Sequence, residues 1–358
     1  EYMVLPEVIN TFALVERNSV LMPVAGSDPA EIQALLVSLG IDVRYARRLL
    51  YWIYRKGVSS FGEINDIPKQ VLKVIAENCV TGLYPPVDAH VSADGSARYI
   101  FTTPGGLLHE TVWLPDEKRQ TVCISVQAGC RMGCRFCATG QNGWSGNLSA
   151  GEIVNQVVSL HHAFTHIVLM GMGEPGDNIE EVTKACKIFT AEWGLAAGSS
   201  RVTVSTVGVT PSVKKLLDET NCNITLSLHS PFPEERREVI PAEARWPFAE
   251  TLGLLQKFDN RRRRRFSVAY VMIKGKNDSD RYLSELIRLL AGTGIRVNIL
   301  PYHPVKDDGE QSSDLATMMR FKHLLVTSGI SASVRRSRGT DISAACGMLA
   351  GKTPRQKV

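Results

Sequence analysis

The sequence predicts an α/β protein: a partial barrel of six β/α units, preceded by a small helical domain and a β-extension. Three observations carry that reading. Downstream of residue 118, apolar β-branched segments alternate with amphipathic ones, a rhythm that builds parallel sheets through crossover helices. Upstream, residues 28–85 repeat at helical spacing, punctuated by Gly40, Gly57 and the turn at Pro68. Between the two, a pair of alternating segments surrounds the turn sequences DG and PGG.

In order, residues 1–27 are an N-terminal extension without the basic start and apolar block of a secretory signal. Residues 28–85 supply three helices, in EIQALLVSLG, VRYARRLLYWIYRKG and IPKQVLKVIAENC. In residues 86–118, ARYIFTT and HETVWLP read as strands that join the two domains. Residues 119–330 hold six strands, TVCISVQ, HIVLMGM, RVTVST, NITLSLH, FSVAYVMI and RVNILPYH, each followed by an amphipathic stretch. Residues 331–358 add a last strand, ASVRRS, and the tail DISAACGMLAG. In such barrels the chemistry sits at the carboxyl ends of the strands.

The chain has 358 residues, and a hydrophobic content of 44% is ample for a core. No run approaches the roughly 18 apolar residues of a membrane helix. No membrane association is therefore expected, and a cytoplasmic monomer is. The net charge of +5 tilts mildly toward a polyanionic partner. The run RRRRR at 261–265 reads either as a solvated loop or as a phosphate-contacting patch.

The cysteines carry the sharpest signal. CRMGCRFC, residues 130–137, places three of the eight on one short loop after the first barrel strand. A disulfide cannot use three, and the fourth ligand of a tetrahedral zinc site is not nearby. Cys130, Cys134 and Cys137 instead suit a 4Fe-4S cluster that keeps one iron open.

That loop, in AGCRMGCRFCATG, is followed in order by MGMGEP, RVTVSTVGVTP, SLHSP, YVMIKGKNDS, ILPYHPV and RRSRGTDISAACG. The series resembles the RlmN/Cfr family of radical S-adenosylmethionine (SAM) enzymes, which methylate adenosine carbons in RNA. The resemblance extends from about residue 30 to residue 351, and YARRLLYWIYRKGVSSFGEINDIPK looks like the family's accessory domain.

It implies a radical SAM barrel with a 4Fe-4S cluster, two SAM molecules per turnover, ribosomal or transfer RNA as substrate, and an electron donor such as flavodoxin or ferredoxin. Cys346 would accept a methyl group from one SAM, and a 5′-deoxyadenosyl radical from the second would remove hydrogen from it. The resulting methylene would add to carbon 2 or carbon 8 of adenine. Cys123 would then remove the ring proton and form a disulfide with Cys346. Glu110 would contact the adenine edge, while Gly173, Glu174, Ser205, Ser227, His229 and His303 would bind SAM. By the residues alone, Glu110 is an exposed strand carboxylate, and Cys79, Cys186 and Cys222 are core thiols. Three positions depart from the family pattern: His303 for asparagine, Gly146 for a basic residue and Met348 for glutamine. They keep open an alternative, a divergent methyltransferase on the same scaffold with another RNA site or a small molecule as substrate.

Overall fold

The computed structural model describes residues 21–258, 264–305 and 309–350. The N-terminal module comprises Met22–Pro23 (β1), Pro29–Ser38 (α1), Ala46–Tyr51 (α2), Lys69–Asn78 (α3) and Cys79–Val80 (β2), with β1 and β2 paired in parallel. Asp28 starts α1 as a capping box, accepting from the Ala30 and Glu31 amides while the Glu31 carboxylate accepts from the Asp28 amide; Pro29 occupies the first turn. The second expected helix is not uniform. It opens in a 3-10 turn, continues as α2 and widens to a π turn over Trp52–Lys56 before Gly57 ends it at φ +66°. The widened turn buries Ile53 and Tyr54, and the Tyr54 hydroxyl donates to the Ser27 carbonyl at 2.7 Å.

Asp88–Val91 (β3), Ala97–Thr102 (β4) and Leu108–Leu114 (β5) form an antiparallel meander. Thr121–Cys123 (β6) follows, then Gln127–Gly129 (β7), the cysteine loop, Ala138–Gln141 (α4), Trp144–Asn147 (β8) and Ala150–Val158 (α5). Next come His166–Leu169 (β9), Ile179–Thr190 (α6), Val202–Thr206 (β10), Thr210–Glu219 (α7), Asn223–Ser227 (β11), Pro233–Val239 (α8) and Phe248–Lys257 (α9). The last elements are Phe266–Met272 (β12), Asp280–Leu290 (α10), Arg296–Pro301 (β13), Leu315–Thr327 (α11) and Ala332–Val334 (β14).

Ten strands form one open sheet in the order β14-β13-β12-β11-β10-β9-β6-β5-β4-β3. The expected α/β fold is present, with the six barrel strands and β14 parallel. Two details differ from the sequence reading. The β-extension is no free-standing connector, because β5 hydrogen-bonds to β6 and continues the barrel sheet. TVCISVQ is not one strand either: the sheet strand stops at Cys123, and β7 pairs with β8 as a separate ribbon beneath the cysteine loop.

The strands sort their side chains by face. Val122, Ile167, Val202, Val204, Ile224, Leu226, Val268 and Val297 pack against the helices in the main core. The opposite, inner face carries Ser205 paired with Thr225, Thr225 with Ser267, and Asn298 with Ser333. The same face also carries Val168 and Val271, and Thr225, Ser267, Val168 and Val271 are all buried. The helical module shares the main core: Val24, Leu49 and Ile53 belong to the same cluster as Val154 and Val157 of α5. Contact there is backbone to backbone, since a Cβ on Gly151 would stand 2.4 Å from the Ala25 carbonyl oxygen.

Of the arginine run, Arg261, Arg262 and Arg263 lie outside the described residues. Arg264 does not face a polyanion. It is buried and its guanidinium donates to the Leu216, Leu217 and Thr220 carbonyls, closing the end of α7. Among the described residues no helix is long and apolar enough to cross a membrane.

Candidate active site

The cysteine loop leaves β7 and turns at Gly133, whose φ of +64° lies in the left-handed region. Cys130 and Cys134 are buried and Cys137 half-buried, and all three are free thiols. Burial pushes the Cys130 thiol up to about 12, and Glu174, Cys137 and Asp177 add to the rise. Cys134 is raised further, by burial and then by Cys137 and Cys130, with the Arg236 guanidinium acting in the opposite sense. Cys130 and Cys134 thus sense the neighbouring thiols of the loop. Among the described residues no three His, Cys, Asp or Glu side chains are gathered tightly enough to bind a single metal ion. A 4Fe-4S cluster asks for something else, one thiolate on each of three irons, and this donor set fits that demand.

Glu174 follows β9 in the GEP turn. It is buried, and its carboxylate accepts from the Gly176 amide at 2.8 Å, the Val207 amide at 2.9 Å and the Thr206 hydroxyl. Burial raises its carboxyl and these three donors oppose the rise. The Glu174 amide donates to Gln127 Oε1 at 2.9 Å, and Gln127 Nε2 in turn donates to Asn147 and Asp177. Gly173 has φ +99°, and a Cβ there would meet the Gln127 backbone nitrogen at 2.8 Å. Only glycine lets the GEP turn pass so close to β7.

Ser205 and Ser227 stand near the carboxyl ends of β10 and β11, on the inner face. His229 is buried with a left-handed φ of +58°, packs against Phe136 of the cysteine loop with the rings tilted at 52° and centroids 4.1 Å apart, and accepts the Val271 amide on Nδ1. Such strain in a histidine persists only where its surroundings hold it.

Sequence reasoning passed over Arg236. It is fully buried, ion-paired with Glu243, and donates to the Val207, Ser227 and Leu228 carbonyls, tying together the ends of β10 and β11. An arginine in PEERREV reads as an exposed helix charge, and no local pattern separates it from Arg237.

A cavity of about 160 Å³ collects residues distant in sequence: Cys123, Cys137, His303, Arg335 and Cys346 all line it. Cys123 is buried, and that burial, followed by the nearness of Cys346, raises its thiol. Cys346 reaches solvent, though the protein around it raises its thiol while Arg335 acts against the rise. Its loop is tied at both ends. On one side Ser92 donates to Asp341 at 2.6 Å and the Gly339 amide to Asp94 at 2.9 Å. On the other the Ala138 amide donates to the Gly347 carbonyl at 2.7 Å, Thr139 to the Leu349 carbonyl at 2.6 Å, and Asn142 to the Ala350 carbonyl at 2.9 Å. The second set lies on α4 and its C-cap Asn142, immediately after Cys137.

Glu110 is not the exposed carboxylate that its strand pattern suggests. It is fully buried, 3.4 Å from Arg98. Val112, two residues on, pairs with Cys123, so Glu110 shares the face that carries Cys123. The departures have local explanations in part. A Cβ at Gly146 would stand 2.7 Å from the Leu107 side chain, which closes over it. His303 meets Ser337 at 3.2 Å, and burial lowers its imidazole, keeping it neutral near pH 7. Nothing in the structure explains Met348.

The open parallel sheet and the three-thiol loop after its first barrel strand define a radical SAM enzyme, and residues 124–290 match the Radical SAM superfamily. The chain is 40% identical over 329 residues to the probable dual-specificity RNA methyltransferase RlmN of Bacteroides thetaiotaomicron, covering 91% of this chain and 95% of that one. It is 37% identical to the protein of that name from Thermus thermophilus, covering 86% and 89%. The crystal structure of a radical SAM methyltransferase from Sphaerobacter thermophilus superposes with a TM-score of 0.86 at 36% identity, covering 92% of this chain and 100% of that one. The chain belongs to the RlmN family.

Proposed function

We propose that the protein methylates an sp² carbon of adenosine, carbon 2 in preference to carbon 8, in ribosomal or transfer RNA, through a methylated Cys346. One observation carries the reading: Cys123 and Cys346, 223 residues apart in sequence, line one cavity with Cys137 of the cysteine loop. The printed name of the relatives, a dual-specificity RNA methyltransferase, supports the substrate class.

Cys130, Cys134 and Cys137 would hold a 4Fe-4S cluster, which together with SAM supplies the one-electron chemistry that an unactivated carbon requires. The remaining work belongs to the chain. Gly173, Glu174, Ser205, Ser227, His229 and His303 would bind SAM, Glu174 at its amino group. The Glu174 carboxylate also holds the GEP turn against β10. The Cys346 sulfur accepts the methyl group, and Glu110 offers a carboxylate to the adenine edge from the face that carries Cys123. Cys123 takes the ring proton. A Cys123–Cys346 disulfide then forms as the bond between the Cys346 sulfur and the product carbon breaks, and a reductant must reopen it. Two SAM molecules are used per turnover, and a flavodoxin or ferredoxin would deliver the electron. The setting is the cytoplasm, and the enzyme acts as a monomer.

Mass spectrometry of ribosomal and transfer RNA from cells with and without the gene tests the reading. Loss of a methyladenosine from the deletion strain is expected, and its chromatographic identity distinguishes carbon 2 from carbon 8. Unchanged RNA from both strains would refute the substrate.

A further inference from the structure

The inner face of the β3–β5 meander carries charge inside the protein. Arg98 of β4 pairs with Val112 of β5, and Val112 with Cys123 of β6, so the three stand in one row across the sheet. Glu110, two residues before Val112, lies on the same face. Arg98 is 7% exposed and Glu110 not at all, and Arg98 Nη1 stands 3.4 Å from Glu110 Oε2. On its other side Arg98 pairs with His90 of the edge strand β3, whose imidazole turns to Asp88 at 3.2 Å. The backbone beneath Glu110 is fixed: Ser125 Oγ donates to the Glu110 carbonyl at 2.5 Å and accepts from the Met172 amide at 2.9 Å. Gln156 of α5 in turn holds both the amide and the carbonyl of Ser125, each at 2.8 Å.

Other buried arginines of this chain are used differently. Arg236 and Arg264 each donate to three backbone carbonyls and so close the ends of strands and helices. The Arg98 side chain meets only Glu110 among the described residues, and its Nε donor is buried without a partner. A buried guanidinium–carboxylate pair seldom stabilises a fold, because desolvation of the two charges offsets their attraction and apolar residues of similar volume do as well. Recognition gives this pair a purpose. A carboxylate beside a guanidinium accepts hydrogen bonds and donates none. Adenine presents a 6-amino donor where guanine presents the O6 acceptor, so an acceptor fixed at that edge takes the first base and repels the second. We propose that Arg98 is a positioning residue for base recognition: its guanidinium orients the Glu110 carboxylate to accept from the 6-amino group of the target adenine. The inference rests on the RNA reading above and adds to it the residue that makes Glu110 selective.

The test uses the RNA fragment around the adenosine that the deletion strain leaves unmethylated. It is made with adenosine at that position, or with purine ribonucleoside, which lacks the 6-amino group. The ratio of kcat/KM on the two fragments is measured for the cluster-reconstituted full chain as wild type, Arg98→Lys, Arg98→Gln and Glu110→Ala. Any difference in intrinsic reactivity between the two bases is common to all four and cancels. Glu110→Ala and Arg98→Gln should each lower the wild-type ratio roughly tenfold, the worth of a hydrogen bond to a charged group. Arg98→Lys, which keeps the charge without the planar fork, should fall between. For the Arg98 variants, iron content and methylation of Cys346 by SAM without RNA should match the wild type. A merely structural role would slow both fragments alike, so Arg98→Gln at the wild-type ratio would overturn the proposal. If Arg98→Gln does not fold, Arg98→Lys decides, and the wild-type ratio there would overturn it equally. Glu110→Ala at the wild-type ratio would also overturn it, with the RNA reading still standing. A wild-type protein that leaves the adenosine fragment unmethylated would overturn that reading itself.

Discussion

Cys123 and Cys346 share a cavity but not an environment. Burial raises both thiols, but the Arg335 guanidinium opposes the rise at Cys346, whereas at Cys123 the neighbouring Cys346 adds to it. A sulfur whose thiolate a nearby cation favours suits a nucleophile, and one without such a cation suits a group that acts only once substrate is in place. Cys346→Ala should therefore retain cluster and SAM binding yet form neither methylated protein nor RNA adduct. Cys123→Ala should methylate Cys346 and then stall with RNA joined to it through a non-reducible thioether. Protein mass spectrometry after nuclease digestion reads both, and a Cys123→Ala protein that methylates Cys346, binds RNA and shows no adduct would exclude the proposed role. His229 governs a different property. Burial, and then Arg236, hold its imidazole down to about 3, against about 6.5 when unfolded. Between those values the unfolded chain binds a proton that the folded chain refuses, so the stabilisation is full above about pH 6.5 and declines as pH falls, by up to about 1.4 kcal/mol per pH unit. Urea unfolding of wild type and His229→Gln at pH 7.5 and 5.5 should show the shallower pH dependence in the variant. Equal slopes would remove His229 as the cause.

The short helix α4 does more than leave the cysteine loop. Its Ala138 amide, its Thr139 hydroxyl and the neighbouring Asn142 amide group hold the Gly347, Leu349 and Ala350 carbonyls, so the loop of Cys346 is ordered by the residues that follow Cys137. Gly347, at φ +83°, permits the approach, since a Cβ there would stand 2.8 Å from the Phe136 carbonyl oxygen. Thr139→Val keeps the shape of the side chain but leaves the Leu349 carbonyl unpaired, at a cost of about 1 kcal/mol. Iodoacetamide should then alkylate Cys346 roughly five-fold faster, by the same conversion. Amide exchange over 344–350 should accelerate in parallel, while the interior of the sheet exchanges as before. An unchanged alkylation rate would show that α4 does not order the loop.

At the scale of the molecule, the helical module is built onto the barrel and shares its core. Gly26 and Gly151 let the segment before α1 lie directly on the start of α5, where any side chain would strike backbone. Gly151→Ala should destabilise by about 1–3 kcal/mol, the range for overpacking a filled interior. Because the core is continuous, amide exchange should show the module and the sheet losing protection together in one transition. A module that opens alone, well below the sheet's transition, would count against the shared core. The two faces are covered differently: helices pack on the outer face, and the tail that carries Cys346 packs through Ala344 and Leu349 on Val112, Cys123 and Val168 of the inner one.

Much of this was determined by sequence alone, because the signals are local. Six β/α units, the helical rhythm of residues 28–85 and the spacing of Cys130, Cys134 and Cys137 each lie within a few dozen residues, and period and spacing survive translation into structure. What only the tertiary structure decided depends on residues far apart meeting. HETVWLP alternates like any strand with one wet face, so Glu110 reads as exposed; it is buried because β5 joins β6 and the tail that carries Cys346 packs over that face. The run RRRRR reads as one charged loop, yet Arg264 turns inward to close α7 while Arg265 stays exposed. Arg236 looks like a helix surface charge until two strand ends supply the carbonyls that bury it. Local pattern reports which face a residue takes on its own element, and only the packing of elements reports what stands opposite.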